Sequence, residues 1–324
     1  MTDRPEKPAN RHAGTGVSRA APIGSVVGAT TTTPWRHRHK DAVQAWIILA
    51  PILVYYVVFV VAPILFSLAL SFSYWDGVSG PPRWAGVSNY LRYLEEPYPQ
   101  IYFNTALFAV CILAIQTVGG FSIALLLNEK IFGRSLHRTL WYIPSLTSAA
   151  IMAQVVVIFV SPYDGVLNRI LATMGMDPVI WTADGFWSRV IIIVFSVWRG
   201  IGGPIVLFLA GLQAIDPQLH EAAKVDGASA RQRLFGITVP LMRPMIVFVV
   251  VTGMIGGFQI FEAVLLTTNG GPLNQTNVAI LQLYNDAFVN AEFGVASAGS
   301  VIIALILLGF SLASLKSFRQ GSVD

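Results

Sequence analysis

The sequence predicts an all-α membrane protein with six transmembrane helices. Of its 324 residues, 54% are hydrophobic and 12% are charged, whereas a soluble domain carries about 25% charged residues. The mean hydropathy of +0.63 also indicates a membrane protein. Six apolar segments are each long enough to cross a bilayer about 30 Å thick, which takes about 20 helical residues.

The six segments are apolar on all sides, as helices that contact both lipid and one another require. We place them at residues 46–71, 105–127, 140–160, 190–212, 245–266 and 296–315. Prolines within or near them are tolerated, because neighbouring groups bond the carbonyls that a proline leaves free. Residues 46–318 are therefore predicted to form one six-helix transmembrane domain.

The two ends of the chain differ from this domain. Residues 1–40 are rich in Pro, Gly, Ala, Thr and Arg and contain few large apolar residues. Such a segment cannot bury enough surface to offset the loss of chain entropy. Residues 1–45 are predicted to be a disordered basic tail, and residues 319–324 a second, short tail.

Lys and Arg are distributed unevenly between the two sides of the predicted bundle. Sixteen of the 21 lie in the two tails and in the loops after the second and fourth spans, four lie in the other loops, and Arg199 lies within a span. The positive-inside rule places the side with sixteen, and both termini, in the cytoplasm. The net charge of +4 is thus a topology signal and does not indicate nucleic-acid binding.

The outer loop at residues 72–104 is rich in tryptophan and tyrosine. Aromatic residues of this kind collect at membrane interfaces. They also suit a docking surface for an external protein, and the sequence leaves both interpretations open.

The loop between the fourth and fifth spans, residues 213–244, has the pattern of two short helices. Asp216 can cap the first helix, and Gly227 can end it in the left-handed conformation. Residues 228–235 can form the second. Small side chains alternate with charged ones, which allows another protein to approach closely and in a fixed orientation.

Pro240 and Pro244 are expected to mark entry into the fifth span. The pattern alone is also compatible with an ordinary cytoplasmic loop lying on the membrane, with Leu219 and Val225 facing lipid.

The order Glu221-Ala222-Ala223, Gly227, Ile237 and Val239-Pro240 resembles the EAA loop of ABC importer permeases. Two departures are small: Val239 replaces the usual Leu, and the customary Phe is shifted by one place. The resemblance implies a type I ABC importer permease fold with cytoplasmic coupling helices, in which this loop docks on a separate ATPase. The implied docking residues are Glu221, Ala222, Ala223, Asp226, Gly227, Ala228, Arg231 and Pro240.

Further segments are similar to the sugar-uptake, maltose-type branch of that family. They lie at residues 103–107, 138–144, 208–213 and 268–272. The resemblance covers residues 45–318 and implies a multi-pass subunit of a bacterial plasma membrane. The imported solute would be a sugar or sugar-like molecule, such as a disaccharide, an oligosaccharide or a glycerol phosphate.

The resemblance also implies partners. They are a second homologous permease, an ABC ATPase dimer, and an extracytoplasmic solute-binding protein that delivers the solute. The chain itself is expected to bind no cofactor, because ATP and Mg belong to the ATPase.

Arg199 and Glu262 are the charged residues that fall deep within predicted spans. A charge there is costly unless it faces a cavity or a partner. Both lie in segments that resemble those lining the sugar site of maltose-type permeases. The candidate solute-binding residues are Ser196, Trp198, Arg199, Gly200, Phe258, Gln259 and Glu262.

Two alternatives stay open for these residues. Arg199 and Glu262 could pair with each other or with the partner permease, and the partner rather than this chain could hold the solute. Gln116 and Gln154 are expected to be buried amides that bond between helices.

The sequence contains no phosphate-binding Gly-x-x-x-x-Gly-Lys-Ser/Thr loop. It shows no paired cysteines, no histidine cluster on a span and no nucleophile–base set. No catalytic or metal-binding residue is therefore predicted, which argues against an embedded enzyme. An ion-coupled secondary transporter remains the alternative, although it usually needs a chain of ionisable groups within the membrane.

Overall fold

A computed structural model describes residues 35–129 and 132–320, so most of the two predicted tails, residues 1–34 of 1–45 and 321–324 of 319–324, lies outside the described residues. The described chain is predominantly helical. The helices are α1 (Trp35–Tyr56), α2 (Ala62–Leu70), α3 (Ser88–Arg92), α4 (Tyr98–Asn128), α5 (Arg134–Leu146), α6 (Ala149–Phe159), α7 (Val166–Thr173), α8 (Gly185–Gly200), α9 (Gly202–Gln213), α10 (Pro217–Val225), α11 (Ala230–Arg233), α12 (Val239–Phe258), α13 (Glu262–Thr267), α14 (Ala279–Tyr284) and α15 (Phe293–Gln320). π-helical turns occupy Val57–Val61, Leu234–Thr238 and Asn285–Val289, and strands β1 (Ser73–Tyr74) and β2 (Arg83–Trp84) pair antiparallel.

The chain divides into two units, one ending at Phe59 and the other beginning at Val60. In the first unit, α1 begins at Trp35 and so includes residues 35–45, which the sequence assigned to the tail. These residues contain no Gly or Pro, and a helix already formed in an apolar segment extends at little cost. The apolar side chains of α1 from Trp46 onward are exposed, as a lipid-facing helix requires.

Four helices of the described chain are long and apolar enough to cross a membrane, and the number rises to six if each of two bent pairs counts as one span. The four are Trp46–Leu70, Tyr98–Asn128, Ala230–Phe258 and Phe293–Ser314. The bent pairs are α5 with α6 and α8 with α9. The six predicted spans match these four helices and two bent pairs in order.

The third predicted span, residues 140–160, is sharply bent, because α5 and α6 meet at 96°. The break falls at Thr147 and Ser148, whose backbones are non-helical. Pro144, one turn earlier, has no N–H to donate, and Thr and Ser favour helix ends over helix interiors. The fourth span bends by 44° between Gly200 and Gly202, where Pro204 cannot bond to the carbonyl of Gly200.

The fifth span also differs from its predicted bounds of 245–266. The helix runs from Ala230 to Phe258 without interruption, so Pro240 and Pro244 lie inside it rather than at its entry. The π-helical turn at Leu234–Thr238 precedes Pro240. A proline has no N–H, so carbonyls one turn before it lose their hydrogen-bond donor. The wider π-helical turn is where the helix accommodates this loss.

The centre of the second unit is α4, which packs against α9 and α12. Phe208 and Ile205 of α9 and Met242 of α12 are almost completely buried in one apolar cluster there. Small residues bring the helices close, as is common between membrane helices. At Gly257 of α12, a Cβ would lie 2.8 Å from Cα of Ala109 on α4.

Gly257→Val is therefore expected to push α12 away from α4 and to lower the melting temperature of the detergent-purified chain. Overpacking a tight contact costs about 1–3 kcal/mol, which corresponds to a decrease of about 3–10 °C for a domain of this size. Gly256→Val is the matched control, because a Cβ on Gly256 meets no atom within 4 Å. Equal melting temperatures for the two variants would contradict the close packing at Gly257.

Candidate functional site: a polar cavity and an exposed loop

A cavity of about 610 Å³ is bounded by residues of α4, α8, α12 and α13. Five of the seven predicted solute-binding residues line it: Ser196, Arg199, Gly200, Gln259 and Glu262. Gly253, Gly256 and Gly257 of α12 also face it, so this helix contributes no side chain to the cavity wall. Polar groups on a glycine-lined wall can bond hydroxyl groups of a bound molecule without being blocked by bulkier neighbours.

Arg199 and Glu262 meet at this cavity. Nη2 of Arg199 lies 3.8 Å from Oε2 of Glu262, and their side chains are 37% and 59% exposed. Nε of Arg199 and Oγ of Ser196 are buried without a hydrogen-bond partner. The pair predicted as an alternative to a solute contact is thus present, and it forms part of the cavity wall.

The sequence placed Glu262 deep within the fifth span, but in the structure it begins a separate short helix. α12 ends at Phe258, residues 259–261 are non-helical, and Glu262 begins α13. Phe261 precedes α13 with φ −140° and ψ −63°, which is far from helical geometry. The break turns Gln259 and Glu262 toward the same cavity.

Two other predicted solute-binding residues lie elsewhere. Trp198 is 42% exposed and lines a separate apolar cavity with Trp181 and Trp187. Phe258 does not line the polar cavity, whereas Phe261, which was not predicted, does. The break at residues 259–261 places Phe261 rather than Phe258 at the cavity.

The two candidate amides behave differently. Nε2 of Gln116 on α4 donates a hydrogen bond of 3.1 Å to the carbonyl of Ser196 on α8, which confirms an interhelical role. Gln154 on α6 is exposed, so its predicted burial is wrong. Gln116 also lines the cavity. No pattern in the sequence around Gln116 indicates that it faces this cavity.

The exposed loop begins with a capped helix, as predicted. Oδ1 of Asp216 accepts a hydrogen bond of 2.9 Å from the backbone N–H of Gln218. At the other end Gly227 has φ +79°, and the N–H of Ala228 donates to the carbonyl of Ala223 at 2.9 Å. This Schellman arrangement favours glycine because its left-handed backbone strains residues with a Cβ.

The second predicted helix, residues 228–235, is not a separate element. Ser229 and Gln232 cap its start reciprocally, side chain to backbone. α11 then continues through the π-helical turn into α12. The pattern Ser-x-x-Gln in the sequence indicates the capping box. The continuity of α11 with α12 depends on the π-helical turn between them, which no local sequence pattern indicates.

The docking residues implied by the sequence form an accessible surface. Most of them are exposed: Glu221, Ala222, Asp226, Gly227, Arg231 and Pro240. Ala223 and Ala228 are half-buried beneath them. Around Gly227 no atom of the described chain lies within 4 Å of a Cβ position, so the surface is open to another molecule.

Beneath this loop lies a second cavity, the arginine cavity, of about 800 Å³. Its wall contains Arg134 and Arg138 of α5 and Gln213 at the end of α9. With its amide oxygen turned toward α5, Gln213 accepts hydrogen bonds from Nη2 of Arg134 (2.7 Å) and Nη2 of Arg138 (2.8 Å).

The aromatic outer loop is partly core. Tyr93 and Tyr98 are buried and pack together with ring centroids 4.4 Å apart, whereas Trp84 is 77% exposed. Tyr98 and Gln282 donate hydrogen bonds to Asp286 at 3.3 and 2.8 Å. Burial raises the pKa of the Asp286 carboxyl, and these two hydrogen bonds oppose that shift.

No group of three or more His, Cys, Asp or Glu side chains that could hold a metal ion occurs among residues 35–129 and 132–320. The candidate site features of the described residues are the polar cavity, the exposed loop at residues 213–244 and the arginine cavity.

Residues 111–319 match the family model described as the binding-protein-dependent transport system inner membrane component. The lactose transport system permease protein LacF of Rhizobium radiobacter is 33% identical over 90% of this chain and 99% of the relative. The trehalose/maltose transport system permease protein MalF of Thermococcus litoralis is 30% identical over 87% of this chain and 96% of the relative.

Among solved structures, one chain of a bacterial ABC transporter involved in import of the acidic polysaccharide alginate is similar, with a TM-score of 0.76 and 25% identity. The match covers 88% of this chain and 99% of that chain. A second structure of a bacterial alginate ABC transporter, in complex with a pentasaccharide-bound periplasmic protein, matches in fold with a TM-score of 0.77.

The helical bundle, the glycine-lined polar cavity and the exposed helical loop define a multi-pass permease of the ABC transporter class. Both the family model and the relatives cover most of the helices that build these features. The chain belongs to the family of binding-protein-dependent transport system inner membrane components.

Proposed function

We propose that this chain is a permease subunit of an ABC importer that moves a sugar or sugar-like solute into the cytoplasm through the polar cavity. The observation that carries the proposal is the cavity of about 610 Å³ with Ser196, Arg199, Gln259 and Glu262 on its wall. Relatives named for lactose and for trehalose or maltose transport support a sugar as the solute.

The chemistry of the cavity wall suits a polyhydroxylated molecule. Buried groups without partners, Oγ of Ser196 and Nε of Arg199, are available to a ligand, and unpaired buried polar groups are costly. Glu262 supplies carboxylate oxygens that accept from hydroxyls. The ring of Phe261, 5.6 Å from that of Tyr284, adds an aromatic surface of the kind that packs against a sugar ring.

The docking loop supports a separate ATPase as the source of energy. A partner surface can approach Gly227 and Ala222 closely, while Glu221, Asp226 and Arg231 orient it at the edge. A second homologous permease would complete the channel, and a solute-binding protein would dock on the opposite face, where Trp84 is exposed. The Lys and Arg count supports placing both termini and the docking loop in the cytoplasm.

The alternative, an ion-coupled transporter, has less support. It needs a relay of ionisable groups through the membrane, and among the residues lining the described cavity only Arg199 and Glu262 are charged. One charge pair does not form such a relay.

Affinity purification of the tagged chain from native membranes in mild detergent tests the proposal. A second six-span permease and an ATPase with a phosphate-binding loop are expected to co-purify. The binding protein encoded with them is then screened against sugars, and the selected sugar serves as the transport substrate. A chain that purifies alone and transports in liposomes without ATP would make the ion-coupled alternative correct.

A further inference from the structure

The arginine cavity carries more positive than negative charge. Its wall holds the cationic side chains of Arg134, Arg138, Lys224 and Arg233, but the carboxylates of only Glu129 and Glu221. None of the three ion pairs among the described residues involves either arginine of α5. Two guanidinium groups are therefore held together, and neither forms an ion pair with a carboxylate of the described residues.

The hydrogen bonds of the two arginines are also incomplete. Each gives one N–H to the same Gln213 oxygen, although a guanidinium has five donors. Nε of Arg134 and Nε of Arg138 are buried without a partner. Converging guanidinium groups with surplus donors are the arrangement that binds phosphate oxygens best, since each can bond two of them.

The position of the cavity indicates where such a phosphate comes from. α5 lies alongside α9. Arg134 at the start of α5 is hydrogen-bonded to Gln213 at the end of α9. Two turns further along α5, the carbonyl of Trp141 would lie 2.6 Å from a Cβ on Gly202 at the start of α9. The arginines thus lie at the loop end of two helices that belong to membrane spans. Leu125, Leu212 and Ile215 line the same cavity, which places apolar side chains next to cationic ones, as at the headgroup level of a bilayer.

We propose that Arg134 and Arg138 bind the phosphate group of an anionic phospholipid. The headgroup occupies the arginine cavity at the loop ends of α5 and α9. The site is separate from the solute cavity and does not depend on which solute is imported.

The test is native mass spectrometry of the full chain purified in detergent and titrated with phosphatidylglycerol, phosphatidylcholine or inorganic phosphate. The wild type is expected to retain phosphatidylglycerol about tenfold better than phosphatidylcholine. Both lipids carry the same phosphate, but the trimethylammonium cation of phosphatidylcholine would meet the surplus positive charge of the cavity wall. Arg134→Gln with Arg138→Gln is expected to remove this preference. Arg134→Lys with Arg138→Lys is expected to restore part of it, which a purely structural role would not.

The matched control is Arg231→Gln with Lys316→Gln, which removes two cations from exposed positions outside the cavity. It is expected to retain phosphatidylglycerol like the wild type. In another outcome, the wild type binds inorganic phosphate but retains no lipid, and the double glutamine variant of α5 loses the phosphate. That result supports the phosphate site and means that its phosphate comes from a soluble molecule rather than a lipid. Equal lipid retention by the α5 variant and the control overturns the proposal. So does cross-linking of Arg134 or Arg138 to an ATPase carboxylate without phosphate binding.

Discussion

Gly227→Asp is expected to abolish ATP-driven sugar uptake while the chain remains folded and inserted in the membrane. Gly227 ends α10 at φ +79°, a conformation that aspartate tolerates better than most residues. No atom of the described chain lies within 4 Å of its Cβ position. The new side chain therefore disturbs little within this chain and meets only a surface that approaches from outside.

The measurement is uptake by proteoliposomes that contain the complete importer and its binding protein, with membrane insertion checked by fractionation. Gly175→Asp is the matched control, because Gly175 also has a left-handed backbone, φ +72°, and an open Cβ position. It follows α7 in the connection between the third and fourth spans and is expected to leave uptake unchanged. Normal uptake by Gly227→Asp would show that α10 is not the surface that receives the ATPase.

Neutralising either member of the Arg199–Glu262 pair is expected to reduce uptake by about tenfold. Each variant leaves the other charge without its partner in a membrane-embedded cavity, where an unpaired charge costs about 2.5–3.5 kcal/mol before screening by water in the cavity. Uptake is expected to stay low in Arg199→Gln combined with Glu262→Gln, because the same groups are proposed to bond the solute.

The double variant separates the two interpretations of the pair. Recovery to wild-type uptake would mean that Arg199 and Glu262 only balance each other and do not contact the solute. Arg169→Gln is the control for loss of one cation, since Arg169 of α7 forms an exposed pair with Asp164 at 3.7 Å. Its uptake is expected to match the wild type, because exposed pairs contribute little.

The features that short-range chemistry decides were predictable from the sequence. Asp216 and Gly227 cap α10 because the free amides and the left-handed turn lie within a few residues of them. The number of spans follows from hydropathy alone. Arg199 and Glu262 stood out because charges are costly in apolar segments.

The features that depend on where helices break were not predictable. The non-helical residues 259–261 decide that Phe261 rather than Phe258 faces the cavity, and the 96° turn after α5 has no signal beyond Pro144 and two hydroxyl residues. The convergence of Arg134 and Arg138 on Gln213 needs residues about 75 positions apart to meet, a contact that only helix packing specifies.

Because α11 continues into α12, the docking loop and the polar cavity lie at opposite ends of one continuous helix. Ala230–Phe258 is a single rod of 29 residues, about 43 Å long at 1.5 Å per residue. Its first residues adjoin the surface proposed to receive the ATPase, and its last glycines form the cavity wall. Tilting this helix at the loop would therefore move the cavity wall directly, with no relay of side chains between the two.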